Sequence, residues 1–470
     1  MPRNYLPLHK QKTQTMNLPD DFSKEMQQHL GNQYQAFAQA FDAPLPTSIR
    51  VNPCKTEHTP SLERVGWSSN GYYLPERIPF TFDPLFHAGQ YYVQEASSMF
   101  VEQILKTVVN KPVRLLDLCA APGGKTTLAL SLLPQGSFVV ANEYVPQRAQ
   151  ILSENLIKWG APNTIVTNNT PADYGKLRHT FDVIIVDAPC SGEGMFRKDD
   201  EALAQWSLDN VKLCVERQKE ILTSVWPSLK PGGVLIYSTC TYNTAENEEI
   251  AQYIKEEFLA EPLPPIATES EWRITREFKG DIPFYRFMPH KTKGEGFTVT
   301  AIRKPEGDYI PVKPGKTKIK TIPLPNNLKT LLKEPSKYEY TAIKDKLIAL
   351  TPEGKEMMQL MEKFNILHAG IEIAVTDKGK DFVPHHSLSQ STELNLEQTP
   401  KIEVDYAGAI SYLRREAMPL SEQQRGIALV TYRNTPLGWV KCVGNRANNL
   451  YPQEWRIRSE RTPDEAPSIF

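Results

Sequence analysis

The string LDLCAAPGGKTT at residues 116–127 joins a short apolar run to a segment of helical character through a glycine-rich turn. Backbone N–H groups at the start of a helix that follows such a turn face a ligand and can bind a nucleotide. Around this string, apolar runs of strand length alternate with amphipathic segments, as in a parallel sheet with crossover helices. The runs are VRLLDL (113–118), GSFVVANE (136–143), NTIVTNN (163–169), FDVIIVDAP (181–189), GGVLIYST (232–239) and GFTVTAIR (296–303). The sequence therefore predicts an α/β, Rossmann-like core with the strand order 3-2-1-4-5.

The glycine-rich turn has two interpretations. Gly124, Lys125 and Thr126 match the end of a P-loop, and VIIVDAP (183–189) resembles a Walker B strand with its aspartate. The first P-loop glycine, however, falls at Cys119, where the phosphate cradle needs a residue without a side chain. The P-loop interpretation is therefore the weaker one.

The alternative is a Rossmann-type nucleotide site. Gly123 and Gly124 allow a ligand to approach the backbone closely, and Glu143 ends the second strand 19 residues past Gly124. An acid there would bind both ribose hydroxyls. An acid at this position suits a ribose that is attached to a sulfonium amino acid better than it suits a diphosphate. This favours S-adenosylmethionine as the ligand.

Two cysteines follow neighbouring strands of the predicted sheet. Cys190 lies in DAPCSGEG (187–194) after the fourth strand, and Cys240 lies in STCTYNTAENE (238–248) after the fifth. In the order 3-2-1-4-5 these strands are adjacent, about 4.8 Å apart. Ligands bind at the carboxyl ends of such strands. We therefore expect both thiols at one site, beside the cofactor.

A cysteine beside a methyl donor suggests chemistry at C5 of a pyrimidine. That carbon is a poor nucleophile in cytosine, but a thiolate that adds at C6 turns the ring into an enamine whose C5 can attack the methyl group. The thiolate is the reactive form, and a nearby cation would lower its pKa below the usual value of about 8.5. Lys125 is such a cation, and Asp187 can hydrogen-bond the Watson–Crick edge of cytosine.

These motifs resemble the NOL/NOP/Sun family of RNA 5-methylcytosine methyltransferases. Within it, the chain is most similar to the bacterial 16S ribosomal-RNA methyltransferase F branch, roughly over residues 20–303 and less sharply over 323–470. The matching strings are CAAPGGKT (119–126), DAPCSGEGMFRKD (187–199), STCTYNTAENE (238–248), SIRVN (48–52) and GQYYVQEASSM (89–99).

The resemblance implies a catalytic set of Cys240, Cys190, Asp187 and Lys125. By the resemblance Cys240 is the nucleophile and Cys190 assists release of the methylated base, whereas in DNA enzymes the Pro-Cys thiol attacks. The residues alone leave that choice open. The implied cofactor-binding residues are Cys119, Ala120, Ala121, Pro122, Gly123, Gly124, Lys125, Glu143 and Asp187, with Asn168 and Asn169 as candidates for the adenine contact.

The sequence pattern predicts an organisation in parts, and the resemblance implies that the last part is PUA-like. We expect an N-terminal α+β extension that packs or binds RNA (1–110), the methyltransferase domain (111–303), a Pro- and Lys-rich linker (304–325) and a C-terminal PUA-like RNA-binding region (326–470). The pattern at 326–364 predicts helix, and short β-like runs follow it.

RNA recognition relies on stacking aromatics and basic contacts, and the target base must be unpaired or flipped out. Candidates near the site are Tyr91, Tyr92, Phe196, Arg197 and Lys198, although the two tyrosines could equally pack the N-terminal region on the sheet. The basic-aromatic stretch 438–458, which holds Trp439, Tyr451 and Trp455, is similar to the appendage of that branch and is expected to contact RNA.

Composition limits the class of protein. The 470 residues carry 54 Lys and Arg against 55 Asp and Glu, which excludes a surface that is basic throughout but not a local basic patch. The sequence contains no run of about 18 apolar residues, so no membrane span is expected. The stretch MPRNYLPLHKQKTQT (1–15) has no apolar segment after it and is not expected to be a secretory signal.

The six cysteines are dispersed and form no CxxC pair, so neither a metal site nor a disulfide framework is expected and the cytoplasm is the predicted location. Cys214 lies in the apolar phase of the helical segment 207–229 and is expected to pack in the core. Cys54 and Cys442 lie outside the motifs and are expected to be structural.

We predict a monomeric S-adenosylmethionine-dependent RNA cytosine-C5 methyltransferase that acts on 16S ribosomal RNA or the small ribosomal subunit. Three alternatives remain: a tRNA cytosine-5 methyltransferase with the same core, a P-loop NTPase of ribosome assembly, and a catalytically silent RNA-binding assembly factor. The third is disfavoured because a binding module needs neither thiol.

Overall fold

The computed structural model describes residues 16–314, 319–377, 381–459, 461–467 and 469–470. The stretch 1–15, which bears on the secretory signal, and residues 315–318 of the expected linker lie outside the described residues.

The N-terminal region combines short helices with a four-stranded antiparallel sheet of order β2-β3-β1-β4. Asp20 and Asp21 in the first turn of its first helix complement the helix dipole, while Phe22 and Met26 are buried. The elements are α1 (Asp20–Leu30), α2 (Tyr34–Ala40), β1 (Thr47–Val51), β2 (Glu63–Arg64), β3 (Gly71–Leu74), α3 (Pro84–His87), β4 (Tyr91–Val93) and α4 (Val101–Val108).

The central region alternates strands and helices, as the sequence pattern predicts. Its helix α9 begins after Ser207, whose hydroxyl accepts a hydrogen bond from the Asn210 N–H and caps the helix. The elements are β5 (Arg114–Asp117), α5 (Gly124–Leu132), β6 (Phe138–Asn142), α6 (Pro146–Trp159), β7 (Thr164–Thr167), α7 (Pro171–Gly175), β8 (Phe181–Asp187), α8 (Asp200–Gln205), α9 (Leu208–Val225), β9 (Leu229–Thr239), α10 (Glu248–Phe258), β10 (Glu261–Pro262), β11 (Thr275–Lys279), β12 (Ile282–Phe287) and β13 (Phe297–Arg303).

The C-terminal region is mostly β. Its elements are α11 (Asn326–Lys329), β14 (Glu339–Ile343), β15 (Lys346–Leu350), α12 (Pro352–Leu360), β16 (Ile366–Ala369), β17 (Ile371–Asp377), β18 (Asp381–Pro384), α13 (His386–Gln390), β19 (Lys401–Glu403), α14 (Tyr406–Leu413), β20 (Met418–Tyr432) and β21 (Thr435–Asn449). Short 3₁₀ turns lie at Gly31–Gln33, Phe80–Phe82, Ser97–Phe100, Glu193–Met195, Trp226–Ser228, Ser270–Trp272, Pro335–Lys337 and Gln453–Trp455. The expectation of helix throughout 326–364 is wrong, because β14 and β15 form an antiparallel hairpin there.

The central sheet has ten strands in the order β11-β12-β13-β9-β8-β5-β6-β7-β16, with β10 paired to β13 outside that row. The pairs β7–β6, β6–β5, β5–β8 and β8–β9 are parallel, which confirms the predicted order 3-2-1-4-5. Strand β13 pairs antiparallel with β9. At the opposite end β16, which comes from the C-terminal region, pairs antiparallel with β7. The C-terminal region thus completes the central sheet, while the domain limits that we expected stay predictions.

Helices cover the sheet on both faces, and the C-terminal region adds to one core layer while the N-terminal region adds to the other. Leu116, Val140 and Ile184 point into one core layer, and their chain neighbours Leu115 and Val139 point into the other. Successive side chains of a strand alternate between faces, so strands buried on both sides read as continuous apolar runs. Because β5 to β9 pair in parallel, their carboxyl ends lie at one edge of the sheet.

Candidate active site

The two cysteine-bearing loops meet at the carboxyl ends of β8 and β9. Asp187, the last residue of β8, lies opposite Ser238 of β9. The Sγ atoms of Cys190 and Cys240 are 3.2 Å apart, and both thiols are free and partly exposed. The structure therefore brings together the two thiols that lie 50 residues apart in sequence.

Lys125 and Asp187 form an ion pair beside the thiols. The Lys125 Nζ lies 2.8 Å from Asp187 Oδ2, and the Ser238 hydroxyl donates to Asp187 Oδ1 at 2.7 Å. Burial lowers the pKa of Lys125, but Asp187, Asp117 and Cys240 together raise that pKa above its usual value. Lys125 therefore stays charged and presents a cation near Cys240.

The glycine-rich turn leads from β5 into α5. Gly123 has a φ of 116°, a left-handed conformation that disfavours other residues, and an added Cβ would lie 3.3 Å from Leu152. Side chains from α6 hold the turn: Arg148 donates to the Ala121 carbonyl at 2.9 Å and Asn155 to the Pro122 carbonyl at 2.8 Å. The backbone of the turn is thus fixed beside the sheet edge.

Within that turn, Cys119 lies near three carboxylates, those of Glu143, Asp117 and Asp187. Burial, together with Glu143 and Asp117, raises the pKa of the Cys119 thiol. Cys119 therefore stays protonated and does not compete as a nucleophile.

Glu143 follows β6, at the position expected for the ribose. Its side chain is buried; Oε1 accepts the Val145 N–H at 2.9 Å and Oε2 lies 3.6 Å from an Arg148 guanidinium nitrogen. One carboxylate oxygen is thus committed to the backbone and the other to a longer ion pair.

Asp117 is a site residue that the sequence analysis missed. Its side chain is fully buried, Oδ2 accepts the Thr126 hydroxyl at 2.6 Å, and Oδ1 has no hydrogen-bond partner among the described residues. Burial, with Asp187 and Glu143 adding to it, raises the pKa of Asp117 to about 7, against the effects of Thr126 and Lys125. The available signal was an acid in an apolar strand immediately before the glycine-rich turn.

Asn168 and Asn169 lie after β7 and brace the loops around them. The Asn168 amide donates to the backbone carbonyls of Glu143 and Tyr144 at 2.7 and 2.8 Å. The Asn169 side-chain oxygen accepts the Asn365 N–H at 3.0 Å. Both side chains are thus engaged with the chain itself, and an adenine contact by either stays a prediction.

These residues fit an adenosyl group. The buried Glu143 carboxylate suits a ribose diol, and the unpartnered Asp117 oxygen offers an acceptor.

Several residues that we expected to contact RNA are buried instead. Phe196 and Tyr91 are almost without exposed surface, and Arg197 donates to the carbonyls of Ala40 and Gly294. The expectation that Phe196 and Arg197 stack on RNA or bind phosphate is therefore wrong, and the burial of Tyr91 favours the packing alternative. Among the residues expected to contact RNA, Lys198 is exposed and Tyr92 is partly buried.

The C-terminal stretch 438–458 needs a similar correction. The rings of Trp439 and Tyr451 are 2% and 1% exposed, and Trp455 packs edge-on against His386. The first two rings belong to the hydrophobic core and are not available to stack on bases.

The remaining cysteines lie away from the paired thiols. Cys214 is buried on α9, which confirms that it packs in the core. Cys442 is also buried, and Cys54 is exposed.

Comparison with known proteins identifies the family. The family model for 16S rRNA methyltransferase RsmB/F matches residues 103–303, the N-terminal domain of 16S rRNA methyltransferase RsmF matches 18–96, and the methyltransferase RsmF PUA domain matches 399–457. The ribosomal RNA small subunit methyltransferase F of Citrobacter koseri is 31% identical over 479 residues, covering 93% of this chain and 96% of that protein. The protein of the same name from an Escherichia coli strain is 30% identical and covers 94% and 97%.

The chain belongs to the ribosomal RNA small subunit methyltransferase F family. Membership makes it a methyltransferase and leaves the P-loop NTPase alternative without support. A solved methyltransferase homolog from Pyrococcus horikoshii is similar in structure, with a TM-score of 0.51, 28% identity, and coverage of 61% of this chain and 95% of that one. Its match agrees with the Rossmann-like core. The PUA match is shorter than the region 326–470 expected from the sequence.

The described residues hold neither a candidate membrane span nor a candidate metal cluster. None of the helices there combines the length and apolar character that a membrane span requires. No cluster of three or more His, Cys, Asp or Glu side chains in that part of the chain could hold a metal ion.

Proposed function

We propose that this protein is an S-adenosylmethionine-dependent methyltransferase that modifies C5 of a cytosine in 16S ribosomal RNA through a covalent bond between Cys240 and C6. The observation that carries the proposal is the pair of thiols, 3.2 Å apart and beside the Lys125–Asp187 ion pair. A methyltransferase that modifies an oxygen or an exocyclic nitrogen has no use for a nucleophilic sulfur.

Cys240 acts as the nucleophile. The Lys125 cation interacts favourably with negative charge on the Cys240 sulfur. The Sγ–C6 bond forms as the ring becomes an enamine, and Asp187 is available to hydrogen-bond the ring's Watson–Crick edge. When bound, the cofactor supplies the electrophilic methyl group that C5 takes up.

Cys190 assists the last step. The hydrogen bond with Cys240, together with burial, raises the pKa of the Cys190 thiol well above its usual value. Cys190 therefore stays protonated and can donate to the Cys240 sulfur. Loss of the C5 proton to a base then expels Cys240 as a thiolate, and a donated hydrogen bond stabilises that leaving group.

The substrate class comes from the relatives. The proteins that match along almost the whole chain are named ribosomal RNA small subunit methyltransferase F, which favours 16S RNA over tRNA. The cytoplasmic location and monomeric state stay predictions.

Methyl transfer to 16S RNA by the Cys240→Ala variant tests the proposal. Because the variant lacks the nucleophile, we expect the rate to fall by roughly a thousandfold or more. Cofactor affinity, measured by calorimetry, should not change. The matched control is Cys54→Ala, which removes an exposed thiol away from the site and should keep full activity. Near-normal turnover by Cys240→Ala would reject the proposed nucleophile.

Bisulfite sequencing of RNA from cells with and without the gene tests the substrate. We expect a 5-methylcytosine in 16S RNA that disappears without the gene. A lost tRNA signal with an unchanged 16S pattern would favour the tRNA alternative instead.

A further inference from the structure

Two buried glutamates lie on the cysteine-bearing loops and have no part in the chemistry above. Glu193 follows Cys190 by three residues, and Glu246 follows Cys240 by six. Both side chains have no exposed surface. Burying a carboxylate is unfavourable unless several hydrogen bonds compensate it, so their partners are informative.

Glu193, on the loop after β8, binds the backbone of the other loop. Its Oε2 accepts the N–H groups of Tyr242 and Asn243 at 2.7 and 3.0 Å. Its Oε1 accepts the Trp206 indole N–H at 3.1 Å. The loop that carries Cys190 thereby holds the backbone of Tyr242 and Asn243, which come shortly after Cys240.

Glu246, on the loop after β9, makes the reverse connection. Its Oε2 accepts the N–H of Ser191, the residue after Cys190, at 3.0 Å. The same oxygen accepts Gln218 Nε2 at 2.8 Å, and Gln218 also donates to the Pro189 carbonyl at 3.0 Å. The loop of Cys240 thereby fixes the backbone on both sides of Cys190.

Asn243 joins the two carboxylates. Its Nδ2 donates to Glu193 Oε1 at 2.9 Å and to Glu246 Oε1 at 2.8 Å. Two further contacts link the loops directly: the hydroxyls of Ser191 and Thr241 are 3.0 Å apart, and the Gly194 N–H donates to the Cys240 carbonyl at 2.8 Å. Hydrogen bonds to a buried carboxylate are strong, and loss of one oxygen acceptor leaves an N–H unsatisfied.

We propose that Glu193 and Glu246 are positioning residues that form a reciprocal clamp and set the distance between the Cys190 and Cys240 sulfurs. Each carboxylate holds the backbone of the opposite loop next to its cysteine. The predicted effect on methyl transfer rests on the proposed function, whereas the sulfur spacing does not.

The affinity of the full-length protein for a bridging arsenical reports whether the Cys190 and Cys240 sulfurs are close enough to bind one arsenic atom. Phenylarsine oxide binds two close thiols: two As–S bonds replace the As–O bond, and the two thiol protons leave with the oxygen as water. We expect wild type to bind one equivalent at this site, and Cys190→Ala to lose it. In Glu193→Gln and Glu246→Gln the amide NH2 faces an N–H donor in either orientation, so affinity should fall at least about tenfold.

The matched control is Glu102→Gln. Glu102 is also buried and accepts a backbone N–H, from Ser69 at 2.9 Å, but it contacts neither cysteine loop. The Glu102→Gln variant should bind the arsenical with wild-type affinity, even if its melting temperature falls as far as the melting temperatures of Glu193→Gln and Glu246→Gln. Arsenical affinity at the wild-type level in both clamp variants would overturn the proposal.

Kinetics separate positioning from general stability. We expect the clamp variants to lose at least about tenfold in kcat, with KM for RNA and cofactor affinity near wild type, because only the reacting thiols are displaced. Thr241→Val, which removes one hydroxyl bridge, supplies a milder variant should the glutamine variants not fold. A loss of arsenical affinity of about twofold or more in that variant supports the clamp, and no loss contradicts it. Failure of wild type to methylate RNA would refute the proposed function and leave the arsenical result to decide the clamp.

Discussion

At the scale of single residues, Cys190 and Cys240 have different surroundings although their sulfurs touch. The pKa of Cys190 is raised by the hydrogen bond and by burial, while the Lys125 cation acts on Cys240. This asymmetry supports the roles that the family resemblance implies, nucleophile for Cys240 and assistance in release for Cys190. Residue spacing alone could not decide between them, because it does not reveal which thiol is near the cation.

Cys190→Ala should accumulate a covalent protein–RNA adduct. Without the donated hydrogen bond the Cys240 thiolate leaves slowly, whereas its attack on C6 is retained. The adduct is visible as a shifted band on a denaturing gel after incubation with RNA and cofactor. A variant that forms no adduct would mean that the two thiols exchange roles.

Asp117→Asn should change stability in a pH-dependent way. The pKa of Asp117 is 3.8 in its ordinary state and about 7 when folded, so the folded protein binds the proton more tightly. Stability of wild type therefore falls as pH rises from about 4 to about 7, whereas asparagine is insensitive. Relative to wild type, the melting temperature of the variant should rise by a few degrees between pH 5 and pH 8. A difference that does not vary with pH would contradict the buried charge.

At the scale of elements, the parallel strands were predictable because burial on both faces makes them continuous apolar runs. The helix after Ser207 was predictable from its cap. The region 326–364 was not, because the amphipathic helix α12 and the hairpin β14–β15 give mixed patterns. Phe196 was misassigned, because an aromatic side chain in a polar motif gives no signal of its burial.

The glycine-rich turn can be tested by comparison with a second glycine of positive φ outside it. Gly123 and Gly136 both have positive φ, 116° and 88°, and alanine at either should cost about 1–2 kcal/mol of stability. Gly123→Ala should in addition weaken cofactor binding, because it lies in the turn between β5 and α5. Gly136→Ala should bind cofactor normally. Equal cofactor affinity in the two variants, measured by calorimetry, would remove the turn from the binding site.

At the scale of the whole molecule, the C-terminal region is part of the core. Strand β16 extends the central sheet, and Leu350 and Met357 pack in the same layer as Leu116. We therefore expect deletion of 323–470 to yield an unfolded or aggregated protein, as measured by circular dichroism and size-exclusion chromatography. A folded, cofactor-binding fragment would contradict this packing. The pairing of β16 with β7 could not be predicted from the sequence, because the two strands lie far apart in the chain.

RNA binding by the C-terminal hairpin is better tested by charge reversal. Lys441 and Arg425 are exposed, and the pairing of Arg425 with Val443 puts them on one face of β20–β21, opposite buried Cys442. Arg425→Glu with Lys441→Glu should weaken RNA binding roughly tenfold and flatten its salt dependence.

The control for that double variant is Lys176→Glu with Lys212→Glu, which changes the charge equally at side chains that are 75% and 74% exposed on α7 and α9. It should bind RNA with nearly wild-type affinity. Equal losses in the two double variants, measured by filter binding, would show a general charge effect and no specific hairpin contact.

The most direct test of the central claim is peptide mapping of the complex formed with RNA that carries 5-fluorocytidine. Fluorine at C5 cannot leave as a proton, so the reaction should stop after methyl transfer with the RNA still attached to the enzyme. We predict a methylated nucleotide bonded to the sulfur of Cys240. Attachment at Cys190, or no covalent complex in the presence of cofactor, would contradict the account.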